Sequence, residues 1–300
     1  MAITEASTQV RKELLRKALL LQGITGFARR KPLGAIGAVI FICLGLIASL
    51  APVISPHDPE EIFPTRHVFS SPSEFMPFGG DAIGRDIMSR IFYGARISLL
   101  VGVVSVMIGV IVGSLFGVFS AYLGGAFDLL MQRIVDGFMA FPAIILALAI
   151  VAVLGSSITN VIIALVFVFT PNSIRTVRSQ ALAIKEMDYI LAARAIGASN
   201  LRIVFRHMVP NVLAIFIILA TLNLGFAIIV EASISFLGVG IPPNIPSWGS
   251  MLAQGSQAYV ENAPWLILFP GIAISLAVFA VNLLGDAMRD VLDPRLRGAR

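Results

Sequence analysis

Charge is what this chain has least of. Only 13% of its 300 residues are charged, against about 25% in soluble domains. Lysine occurs at four positions, 12, 17, 31 and 185, and none completes a Gly-x-x-x-x-Gly-Lys phosphate loop, which excludes ATP hydrolysis by that device. The single cysteine, Cys43, sits in an apolar run; an intrachain disulfide is impossible and a thiolate metal site unsupported. Histidines 57, 67 and 207 show no metal-ligand spacing. No charged residue or histidine falls in the middle of an apolar run, so an intramembrane protease lacks its nucleophile and base. An ion-coupled carrier likewise lacks the ionisable groups usual near the midplane. Asn223 and Asn282 are polar and deep, and each reads first as a packing hydrogen-bond donor.

What the chain has instead is apolar length. Hydrophobic residues make up 57% and the mean hydropathy is +0.91. Runs near the roughly 20 residues needed to cross hydrocarbon recur along it. They predict an all-α polytopic membrane protein with six spans, at about 33–54, 98–122, 138–154, 158–174, 211–230 and 265–284. Six spans put both termini on one side, with eighteen of the 22 Lys and Arg there and four opposite. This favours an N-in, C-in arrangement. The dispersed basic residues fit positive-inside topology better than nucleic-acid binding. Three parts follow: a cytoplasmic basic segment 1–32, a transmembrane domain 33–285 and a cytoplasmic tail 286–300.

Within the first part, residues 10–21 suit an amphipathic helix on the inner leaflet. A 32-residue leader before a 22-residue run fits a permanent span better than a removable signal. Residues 55–97 form a proline-rich loop with six acidic residues and four arginines. In its second half Ile87, Ile91 and Ala95 share a helical face, and the arginines read as snorkelling to headgroups. The second span carries Ser105, Gly109, Gly113, Gly117 and Ala121 at four-residue intervals, a small-residue ridge for close helix packing. Packing within the chain is the first reading and a subunit seam the second. A short loop holds Asp128, Arg133 and Asp136; Pro142 stands near the entry of span three. Pro171 and Asn172 could bend span four near its inner end. Glu231 falls near the outer interface if span five ends at Val230, and inside the membrane if the helix continues to Phe236; the interface is favoured. Residues 238–264 contain no Lys or Arg and read as external, partly re-entrant in one version.

Between spans four and five lies a long polar interval, Lys185–Asn211, with Lys185, Arg194, Arg202 and Arg206. Ile184, Met187, Leu191 and Ala195 recur at helical spacing. Ala192 and Ala193 keep the surface low for a close approach. Gly197 stands where a left-handed residue would stop a helix, Ser199 or Asn200 could cap the next, and Pro210 opens the following run. Bare periodicity leaves two readings open, an amphipathic loop on the headgroups or a docking surface.

The residues of this interval resemble the cytoplasmic signature of ABC-importer membrane subunits, through Ala192, Ala193, Gly197 and Pro210. Leu191 stands at the position of the signature's Glu, a departure that leaves the helix in place. The wider context, Asp188-Tyr189 through Ala192, Ala193, Arg194, Gly197 and Ala198 to His207 and Pro210, resembles the dipeptide, oligopeptide and nickel permease family, in its C-type subunit. So does Gly79, Asp81, Gly84, Arg85, Asp86, Ser89, Arg90 before span two, with Gly80 where Thr is usual. Glu231 to Gly238, Pro246 to Met251 and Gly285 to Arg295 are similar to the same family.

The resemblance implies a coupling helix between spans four and five that sits in a cleft of an ATPase subunit. It implies a homologous second permease, two ATP-binding cytoplasmic subunits holding ATP and Mg, and an extracytoplasmic substrate-binding protein meeting 78–96 and 240–264. The chain itself would carry no cofactor, lie multi-pass in a prokaryotic inner membrane, and pass di- or oligopeptides. Nickel chelates or sugars are alternative cargoes, and an ATP-independent secondary carrier is the rival class.

Overall fold

A computed structural model describes residues 26–256 and 263–292. The amphipathic segment expected at 10–21, the loop stretch 257–262 and the tail 293–300 lie outside the described residues. In chain order the helices are α1 (Pro32–Ile54), α2 (Ile87–Leu123), α3 (Gly125–Met139), α4 (Ala143–Leu154), α5 (Ile158–Lys185), α6 (Asp188–Ala195), α7 (Asn200–Ile203), α8 (Val209–Phe236), α9 (Trp248–Ser256) and α10 (Trp265–Leu292). Helices α1, α2, α5, α10 and the run Asn200–Phe236 are each long and apolar enough to cross a membrane. The pair α3 and α4, bent by 89° at its break, makes a sixth crossing if counted as one.

Helix α2 is the axis of the bundle. It packs most extensively on α5 and then on α8 and α1, while α10 packs on α1 and α8. The small-residue ridge explains the first of these contacts. A Cβ on Gly109 would meet Phe169 Cβ at 3.0 Å, and one on Gly113 or Gly117 would lie 2.8 Å from the carbonyl oxygen of Thr170 or Ile174. Glycine therefore lets the α2 and α5 backbones touch, and in the chain alone the ridge is filled from within. The outward faces are apolar: Leu33, Val39, Ile42 and Val53 on α1 and Leu268 and Phe279 on α10 are more than half exposed. A soluble protein rarely shows so continuous an apolar surface.

Several expected boundaries move. Helix α2 begins at Ile87, eleven residues before the expected span, because Asp86 caps it by accepting a hydrogen bond from Ser89 N at 2.9 Å. The expected third span from Phe138 is interrupted at residues 140–142. Pro142 has no N–H for the ladder and disfavours helical backbone at Phe141, so α3 ends and α4 starts afresh. Asp128, Arg133 and Asp136 accordingly stand on a helix rather than in a loop. Arg178 of α5 donates from Nε and Nη2 to the two oxygens of Asp128 at 2.6 Å each, and Arg175 pairs with Asp136.

Helix α5 runs through Pro171 to Lys185, with Thr170 and Ser173 hydroxyls donating to the carbonyls of Val166 (2.7 Å) and Phe169 (2.8 Å) on either side of the proline. Helix α8 continues without a break from α7 through a π turn at Val204–Met208, which accommodates Pro210. It ends at Phe236 rather than Val230. Glu231 is fully buried in protein, and Ser235 Oγ donates to its Oε1 at 2.9 Å. Helix α10 likewise carries on to Leu292, through residues first assigned to the tail.

Candidate functional site

The interval between α5 and α8 folds into a short helix held off the bundle by a tight turn. Helix α5 stops at Lys185, whose Nζ donates to the Ala121 carbonyl at 3.1 Å near the end of α2. After Glu186 and Met187, α6 runs for eight residues. Its C-terminus closes as a Schellman motif. Ala198 N donates to Ala193 O at 3.0 Å and Gly197 N to Arg194 O at 2.9 Å, with Gly197 at φ +79°. Nothing lies within 4 Å of where a Gly197 Cβ would be, so its requirement is conformational rather than steric. Ser199 then caps α7, accepting from Arg202 N at 3.4 Å.

The face that α6 buries differs from the one its spacing suggests. Ile190 and Ala193 are inside, together with Ile184, whereas Met187 and Leu191 are exposed. The turn at Glu186 and Met187 breaks the helix between Ile184 and Leu191, so the assumed periodicity spans two helices. What is left outside is an apolar surface: Met187, Tyr189, Leu191, Ile196, Leu201 and Phe205, with Ile196 86% exposed. Asp188, Ala192, Arg194, Gly197 and Pro210 are also exposed, while Ala198 and His207 are half-buried.

Besides the core packing of Ile190, Ala193 and Ile203, two polar contacts fasten this segment to the bundle, and both use Tyr122. Its hydroxyl donates to Asn200 Oδ1 at 2.7 Å, and the Arg194 guanidinium stands 5.1 Å from its ring centroid. Tyr122 closes an otherwise apolar run, which is how a polar anchor at a membrane surface looks in sequence.

At the opposite end, the Gly79–Arg90 motif turns inward. Asp81 Oδ1 accepts from the backbone of Ile83 (3.0 Å) and Arg85 (2.8 Å), and its Oδ2 from Arg85 Nε (2.7 Å). Arg85 also reaches Gln254 of α9 at 3.0 Å. Asp86 Oδ2 accepts from the Ser89 hydroxyl at 2.6 Å, and Ser89 Oγ in turn accepts from His57 N at 3.0 Å. Arg90 is 1% exposed and donates to the Pro59 carbonyl at 3.1 Å. It does not snorkel. Gly79 and Gly84 take φ of +84° and +87° where the loop folds back. The motif is thus a buried knot tying residues 57–63 and α9 to the start of α2. Trp248 completes it, its indole donating to Ile91 O at 3.1 Å against Gly94. Exposed positions at this end include 60–62, 64–66, 71–75, 77, 83, 96 and 243–244.

Among the described residues no group of His, Cys, Asp and Glu could hold a metal ion.

Apolar outward faces, close glycine packing and five helices long enough to cross a membrane define a polytopic helical membrane protein. Comparison with known proteins narrows the class. Residues 105–298 match the family described as binding-protein-dependent transport system inner membrane component, and residues 28–72 match the N-terminal transmembrane domain of oligopeptide transport permease C. A Brucella suis chain provisionally named a peptide transport system permease protein is 45% identical over 87% of this chain and 88% of its own. A dipeptide transport system permease protein of Alkalihalophilus pseudofirmus is 42% identical over 90% and 88%. A glutathione transport system permease protein of Escherichia coli is 43% identical over 90% and 89%. The chain belongs to the family of inner-membrane components of binding-protein-dependent transport systems, among its peptide permeases.

Proposed function

We propose that this chain is the transmembrane subunit of an ATP-driven peptide importer, forming half of the translocation path beside a second, homologous permease. In this reading the α6 end is cytoplasmic, both termini lie on that side, and six spans cross a prokaryotic inner membrane. The observation that carries it is the α6 surface. An exposed apolar patch with an open glycine corner, on a segment fastened to α2 and continuous with α8, suits docking in a cleft of an ATPase subunit. ATP and Mg are held by two such subunits; this chain, without a phosphate loop, hydrolyses nothing. Closure of the ATPases would move α6, and with it α5 and α8, rocking the spans between inward and outward states. A substrate-binding protein meets the opposite end through the exposed loop positions 60–62 and 71–75 rather than the buried motif. The names of the relatives favour peptides as cargo.

The test is ATPase activity of proteoliposomes holding this chain, its partner permease, the ATPases and the binding protein. A Gly197→Trp variant places bulk where nothing of its own chain stands but strains the left-handed turn, so Gly197→Asn, which accepts that backbone, is the control expected to keep stimulation. Stimulation by the binding protein in wild type, lost in an assembled variant, is the expected result. Equal stimulation in both would reduce the segment to a loop. Uptake that survives ATP depletion with the ion gradient intact would make the protein a secondary carrier.

A further inference from the structure

Two carboxamides line one open pocket on an outward face of the bundle. Asn172 is at the midpoint of the 28-residue α5 and Asn223 at the midpoint of the 28-residue α8. At 1.5 Å per residue each amide is therefore about 20 Å from either end of its helix. The cavity is about 270 Å³ and is lined by both, with Phe138 and Phe141 at the α3–α4 break and Phe169 and Phe226. Phe169 and Phe226 meet edge to face with centroids 6.2 Å apart. Asn172 follows the first by three residues and Asn223 precedes the second by three. On helices running in opposite directions this puts both amides one turn to the same side of the ring pair.

Neither amide is used by the fold in the way a packing residue would be. Asn172 is exposed, as are Ser275 and Asn282 on α10, but it differs from them in sharing a pocket with a second amide. Asn223 Nδ2 is shut off from solvent with no hydrogen-bond partner. An unpaired amide donor shut off from solvent is costly, so Asn223 lacks the partner a packing role would supply; Asn172 stands one turn before Arg175, which pairs with Asp136. The lining has no charged side chain, which rules out recognition of a cargo by its charge here.

We infer that this cavity is the chain's half of the substrate passage, and that Asn172 and Asn223 engage the backbone amides of a passing peptide. A peptide bond offers one N–H and one C=O, the pair a carboxamide complements. The phenyl rings accept side chains of varied shape without demanding a partner. The site would thus read the backbone and tolerate the side chains. The inference rests on the importer reading and names the contact within it. The broken helix beside the cavity is in keeping with irregular backbone being tolerated at membrane depth where it lines a cavity.

The experiment uses the complete complex in proteoliposomes. Asn172→Cys and Asn223→Cys chains are treated with a charged, membrane-impermeant thiosulfonate, and modification of this chain is read by intact mass, resting and vanadate-trapped. Cys43, exposed on the outer face of α1, is the lipid-facing reference. Thiols in water ionise and react, so Asn172→Cys is expected to react about tenfold faster than Cys43 in at least one state. In parallel, Asn223→Leu is compared with wild type for uptake of labelled dialanine, trialanine and glutathione. Uptake should fall about fivefold, the equivalent of one hydrogen bond, in a complex whose assembly, checked by size, matches wild type. Labelling no faster than Cys43 in both states would make the cavity a dry seam between subunits and overturn the inference. Labelling with unchanged uptake would make it a wet path that the substrate does not touch, which overturns it equally. A wild-type complex that accumulates none of the three peptides with ATP counts against the peptide-importer reading instead, and leaves the labelling result to judge the path.

Discussion

Tyr122 offers the sharpest test of how the α6–α7 segment is held. Replacing it by Phe keeps the ring, its burial at 8% exposure and its stack with Arg194, and removes one hydrogen bond, that from the hydroxyl to Asn200 Oδ1 at 2.7 Å. Such a bond is worth about 1 kcal/mol net, which is about fivefold in the ratio of docked to undocked segment. Arg194→Gln removes the cation over the ring, at an exposed site worth about 0.5–1 kcal/mol. The double variant should therefore lose about 2 kcal/mol, or roughly 30-fold in that ratio.

Amide hydrogen exchange reads the ratio directly when opening is local. In the assembled complex, peptides covering residues 188–203 should exchange about five times faster in Tyr122→Phe and roughly 30 times faster in the double variant. Exchange in α1, which does not touch the segment, should not change. Asn200→Ala should add nothing to Tyr122→Phe, because the two substitutions break the same bond. Unchanged protection in the double variant would refute the anchoring. Full additivity of Tyr122→Phe and Asn200→Ala would show that Asn200 acts through something other than Tyr122.

Three further outcomes follow from the bundle itself. Asp86→Ala removes the α2 cap and the Ser89 hydroxyl bond, a loss of about 1–2 kcal/mol, and trypsin should cut after the exposed Arg66 about tenfold faster as the loop opens; Asp86→Asn, which retains an acceptor, should be cut near the wild-type rate. Gly113→Leu forces α2 off α5 at a site where the obstacle is backbone, costing upwards of about 1–3 kcal/mol. The detergent-solubilised complex should aggregate at lower temperature, whereas Gly45→Leu, with nothing within 4 Å of its Cβ, should behave as wild type. Arg178→Lys replaces a two-pronged grip on Asp128 by a point charge. With both side chains partly exposed (28% and 18%) the loss should stay below about 1 kcal/mol and shrink further at high salt, measured as the shift in melting temperature between low and high ionic strength.

Legibility in the sequence followed the range of the interaction. Features fixed within one or two turns were readable: the left-handed stop at Gly197, the Ser199 cap, the helical face of Ile87, Ile91 and Ala95. The glycine ridge on α2 was readable as a close contact, though not as a contact with α5 in particular. Errors arose where a side chain's fate depended on a distant segment. Arg90 reads as a surface cation because nothing nearby in sequence tells that the Pro59 carbonyl will close over it. Span five reads as ending at Val230 because hydropathy stops there, while the helix is carried on to Phe236 by packing on α9. There a Cβ on Gly249 would sit 2.6 Å from Ala232 Cα. The Met187–Leu191 face failed for a different reason. A two-residue turn resets helical phase, and hydropathy has no means of seeing it.

The two ends of the bundle also differ in a way that bears on mechanism. At the knot end, the polar side chains of the motif are spent on the chain itself: Asp81, Asp86, Ser89 and Arg90 are all buried and bonded. At the α6 end the polar side chains, Asp188, Arg194, Arg202 and Arg206 among them, are exposed beside the apolar ones. Rigidity is thus placed where α1, α2, α8 and α9 meet, and an open mixed surface where α6 lies. Helix α5 joins the two regimes. Its glycine-filled contact with α2 allows no sliding without lifting a ridge out of a groove, because packed cores shift between discrete arrangements rather than deform smoothly. Under the proposed coupling, a pull on α6 would therefore reach α5 through the short turn after Lys185 and move α2 and α5 together as one body. The compliant element would be the α3–α4 break, where Pro142 has already removed the ladder, and where the amide-lined cavity lies.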